Sequence, residues 1–199
     1  MDEQEELVVL KVKGSKDPGY PKKVANAICW QLRDHGRCEM RAIRDEAVAS
    51  AVKAIATANK KVEAADVTLS FDAVFAPLES SEDTSQSVLA FTIQEVSTER
   101  SGEVEEYRVS ARKHSDEKEV SKLAGAIASE IRKGKTVVLR CVGPFAIYKS
   151  VRAVVMAKGY VFANGILTEA IPSWKILEKE SRDGKDIQLV LVEVRSKKA

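Results

Sequence analysis

The stretch "RCVGPFAIYKSVRAVVMAKGYV" (Arg140–Val161) is echoed by "RAIRDEAVASAVKAIATANKKV" (Arg41–Val62) at a constant offset of 99 positions. Six of the 22 aligned positions are identical: Arg41/Arg140, Ala47/Ala146, Val52/Val151, Ala54/Ala153, Ala58/Ala157 and Val62/Val161. Val48/Ile147, Lys53/Arg152 and Ile55/Val154 are conservative pairs. "VANAI" (Val24–Ile28) and "LAGAI" (Leu123–Ile127) align at the same offset, so the repeated unit is much longer than one helix. Self-similarity at a fixed long period marks a duplicated structural unit. The chain of 199 residues therefore divides into two repeats. Units this small bury a modest core, so docking one on the other adds stability.

Outward from the quoted stretch, each half gives the same element order. "LVVLKVKG" (Leu7–Gly14) is rich in β-branched residues and predicts a strand. The turn-forming "GSKDPGYP" follows, with Pro21 placed to begin a helix whose face is Val24, Ala27, Ile28 and Leu32, and Gly36 suits its end. "RCEMRAI" (Arg37–Ile43) alternates apolar and charged residues, the pattern of a half-buried strand. Arg41–Val62 contains the second helix, in which Asp45 and Glu46 are expected to cap the start and complement its dipole. "VTLSFDAVFAPL" and "SVLAFTIQEV" predict a hairpin around the acidic "ESSEDTSQ". The second half runs as strand "EYRVSAR", a helix capped by Ser115 or Asp116, strand "TVVLRCV", helix "PFAIYKSVRAVVMAKG" and a hairpin around "SRDGK". The fold class is therefore α/β, a two-layer α+β sandwich of two β-α-β-α-β-β domains: 6–97, a linker 98–104, and 105–196. The short linker implies close contact between them.

Composition excludes several functions. Hydrophobic residues make up 44% and charged residues 31%, with a net charge of +2. No apolar run is long enough to span a membrane, and "MDEQEELV" lacks the order of a secretory signal. Cys29, Cys38 and Cys141 are at no redox or zinc-ligand spacing and read as reduced core residues, which points to the cytoplasm or another reducing intracellular compartment. His35 and His114 are the only histidines, no nucleophile motif or glycine-rich phosphate loop occurs, and so no enzyme, cofactor or metal is expected. Residues 1–99 carry 12 basic and 17 acidic side chains, against 20 and 13 in the remainder. On these totals the second repeat is the better partner for phosphate.

The residues "EYRVSARK…LAGAIASEIRKGKTVVLRCVGPFAIYKSVRAVVMAKGYV…ILTEAIPSWK" resemble the stage V sporulation protein S (SpoVS) family, which looks like a branch of the Alba superfamily of chromatin and RNA-binding proteins. The resemblance covers residues 105–196 directly and residues 7–97 through the alignment of the halves. It implies two Alba-like domains packed as a pseudo-twofold pair, an intramolecular counterpart of a dimer that leaves further oligomerisation open. It also implies binding of DNA or RNA backbone, largely independent of sequence. The family's contact positions map onto Arg108, Arg112 and Lys113 after the first strand of the second repeat, and onto Lys179, Arg182 and Lys185 in its hairpin. Gly143, at a helix start where backbone N–H groups favour an anion, and Lys149 complete the expected set. In the first repeat Glu79, Glu82 and Asp83 occupy the hairpin tip, while Lys11, Lys13, Lys16, Lys22 and Lys23 partly compensate on its loop. Trp30 and Trp174 read as packing residues before stacking platforms. The alternative function is a scaffold subunit of a larger assembly, using this fold for protein–protein contacts.

Overall fold

The structure, a computed structural model, describes residues 8–77, 87–99, 102–110, 117–178 and 186–197. Among them the first repeat forms β1 (Leu10–Val12), α1 (Tyr20–His35), β2 (Cys38–Ile43), α2 (Arg44–Val62), β3 (Thr68–Pro77) and β4 (Ser87–Val96). The second forms β5 (Val104–Val109), α3 (Glu117–Arg132), β6 (Thr136–Cys141), α4 (Gly143–Phe162), β7 (Thr168–Leu177) and β8 (Ile187–Ser196). The fold class and the two β-α-β-α-β-β repeats expected from the sequence are those observed.

Local chemistry sets most element ends. Pro21 lies in the first turn of α1, where its missing N–H leaves no gap, and Gly36 closes the helix at φ 70° with its N–H donating to Leu32 O. β1 is shorter than the Leu7–Gly14 run suggested. It pairs on one side only, with β2, and Gly14 then passes so close to α2 that a Cβ there would lie 2.8 Å from Glu46 Cβ. The expectation that Asp45 caps α2 is corrected. The cap position is Ile43, with no side-chain bond to the first amides, and Asp45 and Glu46 sit within the first turn, where they act on the dipole alone. Ser115 and Asp116, expected to cap α3, lie outside the described residues.

The two repeats share one sheet, in the order β1-β2-β4-β3-β7-β8-β6-β5. This order reads the same from either edge if each strand is replaced by its counterpart in the other repeat. β3 and β7 meet at a single antiparallel bridge, Phe71 to Ala170. Those two residues are 99 apart, hence the same position of the repeat, so the pseudo-twofold axis passes between them. Core residues Cys38, Met40, Ala42, Leu89, Phe91 and Ile93, and in the other half Val137, Leu139, Cys141, Val190, Val192 and Val194, all come from one face of the sheet. The helices cover that face, with α2 and α4 packed on each other across the axis.

The alanines that the two copies share are all part of the core. Ala47, Ala54 and Ala58, with Ala146, Ala153 and Ala157, are all at most 4% exposed, and small side chains let helix and sheet backbones approach closely. One core cluster runs through both repeats without a break. Cys38 and Cys141 lie within it, and burial pushes both thiols up to about 12, so they are neutral packing groups.

The chain leaving β4 is fastened to the second repeat. Arg195 donates from Nε to Glu169 at 2.6 Å, from one terminal nitrogen to Glu99 O at 2.7 Å, and from the other to Ser97 O. Glu193 stands 3.7 Å from the same guanidinium. All three charged side chains are buried, and each depends on the others for compensation.

Candidate nucleic-acid interface

Because α2 lies across the axis, the second repeat's hairpin packs against the first repeat. The contact is specific. Trp174 of β7 donates its Nε1–H to Thr57 Oγ1 at 3.1 Å, and Thr57 in turn donates to Lys53 O at 2.7 Å. Asn59 donates to Leu69 O and to Pro172 O, both at 2.9 Å, stitching β3 to β7 beside the single bridge.

This packing leaves a groove of about 650 Å³ between the β1–α1 loop, the outer side of α2 and the base of the β7–β8 hairpin. Lys16 and Lys22 enter it from the loop, Lys53 and Lys60 from α2, and Trp174, Ile176 and Gln188 from the hairpin. Asp17 also lines it, but that carboxylate accepts from Gly19 N–H at 2.8 Å and stands 3.7 Å from Lys23. Among the described residues no carboxylate is paired with Lys16, Lys22, Lys53 or Lys60. A second depression of about 360 Å³ adjoins it, sharing Lys60, Trp174 and Ile176 and reaching Glu63, Thr98 and Ser173.

The matching surface of the second repeat is neutralised from within. Arg152, the counterpart of Lys53, is ion-paired with Glu117. Lys149 is bound to Glu119 at 2.5 Å, with its side chain only 7% exposed. Lys158, the counterpart of Asn59, holds both oxygens of Asp72 at 2.6 and 2.5 Å. The 99-residue offset shows why: α3 places Glu117 and Glu119 where the first repeat has Pro18 and Tyr20.

Of the residues singled out in the sequence, Arg108, Gly143 and Lys149 are among the described ones. Arg108 is exposed on the edge strand β5, beside Arg140, whose Nε is 3.1 Å from Glu106. Gly143 is half-buried at the start of α4 with φ 81°. Lys149 is buried and donates to Glu119. Arg112, Lys113, Lys179, Arg182 and Lys185 lie outside the described residues, as do Glu79, Glu82 and Asp83. Trp174 and Ile176 of β7 and Gln188 of β8 line the lysine groove.

Sequence reasoning missed Lys53, Lys60 and Trp174 as parts of one surface. The Lys53/Arg152 pair was visible in the alignment, but only the crossing of α2 by β7 gives it a setting. The charge totals do not single out this groove. Of the first half's 17 acidic residues, seven fall in 1–7 and 78–86, and the rest of that repeat is not acidic on balance.

Two β-α-β-α-β-β units fused through one sheet, with helices on a single face and a cationic groove where the units meet, define a tandem α+β protein that is its own pseudo-dimer. The chain belongs to the stage V sporulation protein S (SpoVS) family, whose model matches residues 8–96 and again 110–194. Among curated proteins no match to the chain is found. Among the described residues no helix is long and apolar enough to cross a membrane, and no group of His, Cys, Asp or Glu is arranged to hold a metal ion.

Proposed function

We propose that this chain is a non-enzymatic nucleic-acid-binding protein that holds the phosphate backbone in the groove between its repeats. The observation that carries the reading is the set of four lysines, Lys16, Lys22, Lys53 and Lys60, converging on one groove, with no carboxylate among the described residues paired to them. Cations left unpaired by the fold are available to displace counterions from phosphates. The second repeat adds the cations expected of its hairpin, Lys179, Arg182 and Lys185, and of its loop, Arg112 and Lys113. The binding surface is then a composite of both repeats, and the second repeat's own helix face plays the smaller part. Backbone contact of this kind is largely indifferent to sequence and does not by itself separate DNA from RNA.

A labelled oligonucleotide titrated by anisotropy over a salt series tests this. Affinity should fall steeply as salt rises, and replacing the four lysines by alanine should weaken binding to all sequences alike. Each lost phosphate contact flattens the log–log salt slope by about 0.7–0.9, so the quadruple variant should lose about 3 in slope. Binding that is absent at micromolar protein, to single and double strands of DNA and RNA, would overturn the reading in favour of a scaffold that meets protein surfaces.

A further inference from the structure

Among the lysines stands a half-buried aromatic ring, Trp174, which packs against the core and still lines the groove. Trp174 lines both depressions. Its N–H is already bonded to Thr57, whose own hydroxyl proton goes to Lys53 O, so the ring's orientation is fixed from the helix side. A ring held in one orientation, with its polar atom satisfied, offers its remaining surface to an apolar or π-faced partner. Exposed Ile176 extends that surface along β7. Lys60 reaches both depressions, with Lys22 and Lys53 in the larger one, so cations flank the ring.

We propose that the groove takes a single strand, with an unpaired base stacked on Trp174 and the adjoining phosphates on Lys53 and Lys60. This rests on the nucleic-acid reading above and narrows it. Stacking on a side chain requires a base whose face is free, and a duplex hides those faces inside its own stack. A depression of about 650 Å³ is also of the size that encloses one small ligand unit. The site occurs once per chain. The position matching Trp174 in the first repeat is Phe75, and the helix that would flank it carries Arg152 already paired to Glu117. One strand per chain follows, in spite of the pseudo-twofold fold.

The chain contains only two tryptophans, so W30F leaves Trp174 as the sole indole reporter. That variant is titrated with oligo(dT), oligo(U) and a dA·dT duplex of equal length, at low and moderate salt. The single strands should quench Trp174 emission to saturation at one strand per chain, while the duplex leaves it unchanged. In a parallel anisotropy assay W174L should bind single strands on the order of tenfold more weakly, with duplex affinity unaltered, and W174F should recover part of the loss. Circular dichroism of W174L and W174F guards against unfolding, and the W30F titration stands even if W174L fails to fold. Salt-sensitive binding without quenching, equal for single strand and duplex, overturns the stacking site while leaving the phosphate reading intact. No binding of any oligonucleotide overturns both.

Discussion

Arg44 and Gly143 occupy the same position of the two repeats and adopt the same left-handed backbone, at φ 69° and 81°. Glycine takes this conformation freely, whereas a residue with a Cβ loses roughly 1–2 kcal/mol. The turn from strand into helix is thus a demand of the repeat's geometry that only the second copy meets without strain. A Cβ at Gly143 would have no atom within 4 Å, so Gly143→Ala isolates the backbone term from any collision. Thermal or urea unfolding should show Gly143→Ala destabilised by about 1 kcal/mol, and Arg44→Gly stabilised by about 0.5–1 kcal/mol after glycine's greater chain entropy is deducted. Two substitutions at one repeat position then have opposite signs; a loss of stability in Arg44→Gly would mean that the Arg44 side chain contributes more than its exposed position suggests. At this scale the sequence was legible in part. The Gly143-Pro144 start stood out as a glycine with a possible anion role, but its conformational reason, shared with Arg44, appears only once both φ angles are known.

The elements themselves were largely legible because each carries its own periodic signal. Cys38, Met40 and Ala42 alternate along β2, and the stripe Val48, Val52, Ile55 runs down α2 and is buried as that spacing requires. What the signal does not encode is which element of the other repeat each one meets. Asn59 and Lys158 illustrate this, for they are the same position of α2 and α4 yet do different work at the seam. Asn59 gives both amide protons to strand carbonyls and accepts Leu69 N–H at 2.6 Å, whereas Lys158 makes a half-exposed pair with Asp72. Deleting the amide strands a buried backbone donor and two acceptors, at about 1–3 kcal/mol for an unsatisfied buried group. A solvent-screened ion pair is typically within about 1 kcal/mol. Asn59→Ala should therefore lower stability by about 2 kcal/mol or more in denaturant titrations, and Lys158→Ala by less than half as much. Equal effects would mean that the seam is held by packing of α2 on α4, with the hydrogen bonds incidental.

For the molecule as a whole, the repeat predicted a pseudo-twofold pair, and the palindromic sheet order is that pair. The site was less legible, because the groove combines the first repeat's loop and helix with the second repeat's hairpin, and reading each half as a self-contained binder assigns the lysines and the hairpin to different surfaces. Charge totals per half average over the whole repeat and so do not single out the groove. The fused sheet has a further consequence for folding. Either repeat alone would expose the β3 or β7 edge around the central bridge, the facing sides of α2 and α4, and the apolar residues of a core that is continuous through both. Arg195, moreover, would lose the Ser97 and Glu99 carbonyls that satisfy its guanidinium. Units that share a core in this way unfold together, whereas independent domains give separate transitions. Trp30 lies on α1 of the first repeat and Trp174 on β7 of the second, so W174F and W30F each leave a reporter in one repeat. Urea unfolding followed by each lone tryptophan should agree in midpoint and slope with far-ultraviolet dichroism of the same variant. Adding Asn59→Ala to W30F should lower the midpoint while keeping the two probes coincident, because the seam is part of the common core. If the emission of Trp174 instead changes well before the dichroism, the seam opens ahead of the repeats, and the composite groove would be a surface that forms and dissolves within an otherwise folded chain.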